Sequence, residues 1–176
     1  MKDVSLKYKI NGEEFIFPII SYSGVHKEYL EKGLQKDGSL SYLEYNGREV
    51  FSTVDPLSAI SYGAHRAAIK KTTPQLIVIN VEKNIENITL PMDDFKKQNW
   101  VLFRKLNPKT FKYFDLKITD PNNREIIDEE KMLYDVEDKI NETVIEFLNS
   151  SISYKDIVRY FKPKKKTPNI FRRYEY

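Results

Sequence analysis

The chain of 176 residues contains no cysteine and only two histidines, His26 and His65. Without cysteine there is neither a disulfide framework nor a thiolate metal site, and two histidines are too few for an ordinary structural zinc site. No apolar run reaches the roughly eighteen residues of a membrane span, and the first residues lack the apolar core of a secretion signal. These absences predict a protein without metal or membrane contact, in the cytoplasm (in the host cytoplasm if the chain is viral).

Glycine and charge are also distributed in an informative way. The six glycines are scattered, and none belongs to a glycine-rich loop of the kind that cradles phosphates. Residues 162–176 hold four lysines, two arginines and one glutamate, a net charge of +5, so the rest of the chain carries −2 of the overall +3. We therefore predict a single domain over residues 1–161 and a basic tail over residues 162–176. The tail residues expected to contact phosphates are Lys164, Lys165, Lys166, Arg172 and Arg173, with a disordered, solubilising tail as the alternative.

Apolar periodicity and turn residues predict a strand-rich α+β fold with mixed or antiparallel sheets and about three helices. Residues 4–10 and 14–20 flank Asn11-Gly12, which is a strong signal for a two-residue hairpin. The continuous apolar run at residues 76–81 predicts a strand that is buried on both faces, at the centre of a sheet. Three further strands are predicted at residues 100–106, 111–118 and 141–148, and a closing helix or strand at residues 153–161.

The clearest local signal is a strand-to-helix junction within VFSTVDPLSAISYGAHRA, residues 50–67. A short strand ending in Ser52 and Thr53 leads to Asp55 at the N-cap position and Pro56 at the first helical position. Apolar residues then recur at helical spacing. Two hydroxyl groups at such a junction are positioned to contact a ligand.

Two other segments combine polar and apolar residues. Tyr22-Ser23-Gly24 is predicted to end a strand before a short helix over residues 25–34. In the predicted strand 141–148, Glu142 and Glu146 share a face with apolar side chains, which is costly unless the carboxylates lie at the rim or have partners. The alternative interpretations are a plain turn, a pair of capping hydroxyls with a packed tyrosine, and solvent-facing carboxylates.

In this order the three segments resemble the motifs of the ADP-ribosyltransferase-like fold, in its small bacterial and phage members. YSGVHKEYLEKGLQKDG resembles the first motif, VFSTVDPLSAISYGAHRA the second, and ETVIEFLNSSISYKDI the third, within residues 16–160. The resemblance implies an NAD-dependent transferase that moves ADP-ribose to a macromolecular target, either protein or nucleic acid. NAD would be consumed as a substrate, and no metal would be required.

The resemblance also assigns roles to individual residues. Glu146, or Glu142 as second choice, would stabilise an oxocarbenium-like transition state, as the carboxylates of glycosidases do. Ser52 and Thr53 would support that carboxylate, and Gly24 would let the chain approach NAD closely. The residues expected to bind NAD are Tyr22, Ser23, Gly24, Thr53 and Tyr62, the last by stacking on nicotinamide.

Two positions depart from the family's pattern. The residue before Gly24 is Ser23, where the family carries an NAD-anchoring histidine or arginine; His26 is expected on a helix surface, with NAD anchoring as its alternative. Val144 occupies the place, two residues before Glu146, where arginine-modifying members carry Glu or Gln. The rival functions are a non-catalytic binding module of the same fold acting on a host factor, and a small nucleic-acid-binding protein or nuclease that uses the basic tail.

Overall fold

A five-stranded antiparallel sheet organises the structure, a computed structural model that describes residues 5–10, 13–89 and 100–150. In chain order the strands are β1 (Ser5–Ile10), β2 (Glu13–Pro18), β3 (Ile20–His26), β4 (Val50–Thr53), β5 (Pro74–Asn80), β6 (Trp100–Phe103) and β7 (Phe111–Asp115). Across the sheet the order is β6-β4-β3-β5-β7. The prediction of a single α+β domain with antiparallel pairing is confirmed.

The first two strands form a hairpin of their own. β1 pairs antiparallel with β2 from Ser5 opposite Pro18 to Ile10 opposite Glu13, as a separate two-stranded sheet. This confirms the predicted hairpin. Pro18, which has no backbone N–H to donate to a ladder, is the last residue of β2. The five-stranded sheet begins two residues later, at Ile20.

Helices cover both faces of the sheet. They are α1 (Lys27–Gly33), α2 (Leu43–Asn46), α3 (Pro56–Lys70), a 3₁₀ helix (Glu82–Asn87) and α4 (Glu129–Asn149). The helices α3 and α4 pack on one face, where the core includes Tyr22, Ile60, Leu76, Val136 and Phe147. The opposite face is covered by α1 and the loops around it, with Leu30, Leu40, Ile77, Val101 and Phe103 in its core. Over the described ranges, no helix is long and apolar enough to cross a membrane.

The predicted strand-to-helix junction is confirmed in detail. Asp55 is the N-cap of α3, and its carboxylate accepts hydrogen bonds from the backbone N–H of Leu57 at 3.0 Å and from the Ser58 hydroxyl at 2.8 Å. Pro56 stands at the first helical position, where a missing N–H costs nothing. The helix ends at Lys71, whose φ of 54° is left-handed.

Two glycines let α3 lie directly on β3. A Cβ atom at Gly24 would stand 1.6 Å from the carbonyl oxygen of Ala59, and one at Gly63 would stand 2.8 Å from the backbone nitrogen of Val25. These distances are far below van der Waals contact, so the helix can approach the strand this closely only because both side chains are absent. The pair fixes α3 over the middle of the sheet.

The prediction of a strand at residues 141–148 is wrong. These residues form the second half of α4, which begins after the N-cap Asp128. Its buried side chains recur at helical spacing along the whole helix: Met132, Val136, Ile140, Thr143, Val144 and Phe147. The three consecutive β-branched residues Thr143, Val144 and Ile145 favour a strand only when they are considered apart from the preceding turns.

Two further predictions need smaller corrections, and two others cannot be compared with the structure. The strand predicted to end at Tyr22-Ser23-Gly24 continues to His26, so the following helix starts at Lys27. The buried strand β5 lies beside the central strand, which is β3. The predicted element at residues 153–161 and the basic tail at residues 162–176 lie outside the described residues.

Candidate functional site

The residues assigned to NAD binding are divided between the two faces of the sheet. Tyr22 and Gly24 face α3, together with Thr53, which pairs with Tyr22 across β3 and β4. Because side chains alternate along a strand, Ser23 and Ser52 face the opposite side. Both serines are buried there. The structure therefore brings Tyr22, Gly24 and Thr53 together and separates them from the two serines.

The hydroxyl groups of the junction bond to the backbone. Ser52 is fully buried, and its hydroxyl donates to the carbonyl oxygen of Val101 on β6 at 2.8 Å. The Thr53 hydroxyl accepts from the backbone N–H of Asp55 at 3.3 Å, in the turn that precedes α3. Both residues thus stabilise the course of the chain at the junction.

The Tyr22-Ser23-Gly24 segment lies in the interior of β3. Burial, and to a smaller extent the nearby Asp55 carboxylate, raises the pKa of Tyr22 well above its ordinary value. The space left by the absent side chain of Gly24 is filled by α3. This helix contact is a structural reason for glycine at position 24, independent of any ligand.

The two candidate catalytic carboxylates lie far from Ser52. Glu142 and Glu146 are exposed on α4, and Glu146 Oε2 is 2.6 Å from Lys112 Nζ on the edge strand β7. Three strand spacings, about 14 Å, separate β7 from β4. Ser52 also faces the side of the sheet opposite α4. The structure does not bring either carboxylate together with the hydroxyls of the junction.

Of the residues assigned to NAD binding, Tyr62 is the one that is exposed, and it stands among other aromatic rings. Its side chain is 49% exposed, and its ring centroid lies 6.3 Å from that of Phe51. Phe51 lies in turn 5.0 Å from Trp100. The guanidinium carbon of Arg66 is 5.4 Å from the Tyr62 ring centroid, and its Nη2 donates to the Tyr62 hydroxyl at 3.2 Å. We call Phe51, Tyr62, Arg66 and Trp100 the β4 aromatic surface.

This surface exists because the helical layer covers only part of the sheet. The helix α3 packs mainly on β3 and β5, and α4 packs beyond it. Phe51 stays 39% exposed although β4 is an interior strand. Within the part of the chain that the structure describes, α3 alone borders this half of the sheet, through Tyr62 and Arg66.

Sequence reasoning identified Tyr62 but missed its neighbours. Two local signals pointed to them. Strand alternation places Phe51 on the face opposite Val50 and Ser52, and the four-residue spacing of Tyr62 and Arg66 puts both on one helix face. The pairing of β4 with β6, which brings Trp100 opposite Thr53, had no local signal.

His26 joins this surface to α1, and the expectation of a helix-surface histidine is wrong. It is the last residue of β3 and only 8% exposed, and its Nδ1 accepts from the backbone N–H of Tyr29 as the N-cap of α1. Burial lowers the pKa of His26; the Glu28 carboxylate opposes this effect, and Lys70 and Arg66 reinforce it. The imidazole is thus neutral at pH 7, with two cations of α3 nearby.

A metal site and a small-molecule pocket are two other kinds of site. Among the described residues, no group of three or more His, Cys, Asp and Glu side chains could hold a metal ion. A pocket between the end of α3 and the loop around Arg124 has room for about one water molecule. Comparison with protein-family models, with curated proteins and with solved structures found no match to this chain.

Proposed function

We propose that this chain is a binding module for single-stranded nucleic acid, which it holds on the β4 aromatic surface. The observation that carries the proposal is the half-exposed Tyr62 ring with a guanidinium over it and Phe51 beside it. A base can stack on an exposed ring, while the adjacent arginine can contact the phosphate that follows it. The proposal belongs to the non-catalytic and nucleic-acid-binding alternatives raised by the sequence.

Rigid rings make this surface suited to stacking. Phe51 and Trp100 are neighbours on paired strands, which fixes their separation at 5.0 Å. Arg66 is tied to Tyr62 by a hydrogen bond one helical turn away. Little side-chain entropy is lost when a ligand binds to groups that are already ordered. Base stacking on such a ring contributes about 1–3 kcal/mol per base.

The open geometry of the surface favours a nucleic-acid strand over a small molecule, which would need an enclosed pocket. Pockets for small molecules usually bury about 70–90% of the ligand surface. Tyr62 and Phe51 instead stand half-exposed on the outside of the sheet. Strand-binding proteins typically combine open aromatic platforms with scattered cations. The basic residues 162–176 would add phosphate contacts to the same strand.

The single tryptophan makes a direct test possible, because Trp100 is part of the surface. We expect a single-stranded oligonucleotide to quench its emission on titration of the full chain. Tyr62→Ala should weaken binding by about 1–3 kcal/mol. Arg66→Gln should weaken it and lower the salt slope by about 0.7, the value for one lost phosphate contact. Tyr134→Ala, at a tyrosine 77% exposed on α4, is the matched control.

An abasic oligomer of equal length separates stacking from attraction to the basic tail, because it carries the same phosphates without bases. The proposal requires the ordinary strand to bind more tightly than the abasic one. Equal affinity, or an unchanged affinity in Tyr62→Ala, would refute it. If the protein self-associates with increasing protein concentration and added oligonucleotide has no effect, the surface binds a second copy of the chain instead.

ADP-ribosyl transfer from NAD is the second candidate. The observation in its favour is that Tyr22, Gly24, Thr53 and Tyr62 lie on one side of the sheet around β3, β4 and α3. The expected result is nicotinamide release from NAD in the presence of a target, lost in Tyr62→Ala. NAD binding that depends on Tyr62, without strand binding, would favour this candidate over the first.

A further inference from the structure

A second group of aromatic rings lies beyond the end of the central strand. Tyr29 on α1 packs on buried Tyr42 with ring centroids 4.2 Å apart and the rings tilted by 35°, and Tyr45 on α2 stands edge-on to Tyr29 at 5.9 Å. The Tyr29 hydroxyl accepts from the side-chain amide of Asn46 at 3.1 Å. Tyr45 is 50% exposed. We call Tyr29 and Tyr45 the α1–α2 aromatic pair.

His26 lies between the two aromatic groups. Its ring centroid is 5.9 Å from that of Tyr29. The register that pairs Tyr22 with Thr53 places Phe51 beside Gly24, two residues before His26 along β3. Two strand residues span about 7 Å. Phe51 lies beside Tyr62 on the α3 face, whereas Tyr29 packs on the core of the opposite face, so a nucleic-acid strand that passes from one group to the other must turn around the end of β3 at His26.

Two cations of α3 lie near His26, one of them the Arg66 of the β4 aromatic surface. Arg66 and Lys70 are exposed and four residues apart on α3, so they share one helix face. Both lie close enough to His26 to act on it electrostatically. The order of groups is thus the aromatic rings at β4, then the two cations, then the rings of α1 and α2. The bases and phosphates of a single nucleic-acid strand alternate in the same manner.

We infer that the β4 aromatic surface and the α1–α2 aromatic pair form one continuous track for a single strand, with Arg66 and Lys70 contacting the phosphates between two stacked bases. This inference rests on the proposed function and extends it, since it sets a minimum strand length. A strand that reaches only one group of rings gains one stacking contact. A strand that reaches both gains two, and the second is intramolecular once the first has formed.

An acidic residue of α1 opposes binding at the same place. Glu28 lies in the first turn of α1, two residues after His26, and acts on His26 electrostatically. Its carboxylate should repel a phosphate that passes from Lys70 toward Tyr29. Glu28→Gln is therefore expected to raise the affinity for a long oligonucleotide. Partial unfolding of the variant would lower that affinity, so it cannot explain an increase.

The test compares strands of about four and about twelve nucleotides, since single-strand sites typically cover about 4–16. In the full chain, the longer strand should bind at least tenfold more tightly. Tyr45→Ala should remove most of that advantage, about 5-fold or more. Lys70→Gln should lower the salt slope for the longer strand by about 0.7. Tyr134→Ala is again the control.

The possible failures can be told apart. If no strand binds better than its abasic counterpart, the proposed function fails, and the track fails with it. If strands bind through Tyr62 but Tyr45→Ala and Glu28→Gln leave the affinity of the longer strand unchanged, the track is refuted and the proposed function stands. If Glu28→Gln tightens binding and Tyr45→Ala weakens it, both are supported.

Discussion

Gly24→Ala tests the contact that places α3 on the sheet. The added Cβ would stand 1.6 Å from the Ala59 carbonyl oxygen and 2.9 Å from the Gly63 nitrogen. A carbon–oxygen contact needs about 3.3 Å, so α3 would have to retreat by about 1.7 Å. Backbone atoms of a helix cannot rotate away as a side chain can. The cost should exceed the usual overpacking range, at about 3–5 kcal/mol.

A loss of that size is a large part of a typical free energy of unfolding, about 5–15 kcal/mol. It should lower the melting temperature by about 6–20 °C for a chain of this length. Urea unfolding followed by Trp100 fluorescence and circular dichroism measures the loss directly, provided that the slope m is unchanged. The matched control is Gly47→Ala. It has open space around its Cβ but a φ of 72°, so it should cost only about 1–2 kcal/mol. If Gly24→Ala destabilises less than this control, α3 does not lie on β3 at the distance described.

Three further predictions concern capping, pH and the exposed ion pair. Asp55→Ala should lower the free energy of unfolding by about 1–2 kcal/mol in urea titrations, because the buried cap loses its hydrogen bond to Leu57; no loss would contradict the cap. Burial lowers the pKa of His26 from 6.5, so the unfolded chain binds more protons than the folded one, and the free energy of unfolding should fall as the pH drops below 6.5. His26→Asn keeps a capping acceptor and should flatten this dependence of stability on pH. An unchanged dependence would exclude His26 as its source. Glu146→Gln should change stability by at most about 1 kcal/mol, because its pair with Lys112 is half-exposed, and a larger loss would show a tighter pair.

The elements that sequence predicts best are those specified by adjacent residues. The start of α3 follows from Asp55 and Pro56 alone, since a capping carboxylate and a proline at the first position act within one turn. The β1–β2 hairpin follows from strand-forming segments around Asn11-Gly12. Neither prediction requires knowledge of the rest of the fold.

The wrong secondary-structure prediction concerns a segment whose local residue pattern fits both a strand and a helix. Val144 and Ile145 favour a strand over eight residues, but over twenty-one residues the burial period of α4 is helical. The prediction therefore placed Glu146 on a strand in a cleft, whereas it lies on a helix face next to β7. For this reason the expected grouping of site residues does not appear in the structure.

The β4 aromatic surface could not be predicted because it depends on long-range packing. Phe51 is exposed because α3 packs mainly on β3 and β5, where it meets Gly24, and not on β4. Trp100 joins the surface through the pairing of β6 with β4, which are distant in sequence. Neither the exposure of Phe51 nor the position of Trp100 beside it can be predicted from composition or periodicity.

The strand order has a consequence for synthesis on the ribosome. The central strand β3 is the first of the five to be made, yet one of its partners, β5, begins only at Pro74. Until that segment leaves the exit tunnel, β3 has one edge unpaired, which other chains can join. Such non-local pairing also folds slowly, on the order of milliseconds to seconds. Nascent chains stalled before Pro74 should therefore need a chaperone, and chains extended beyond Asp115, with all five strands available, should not.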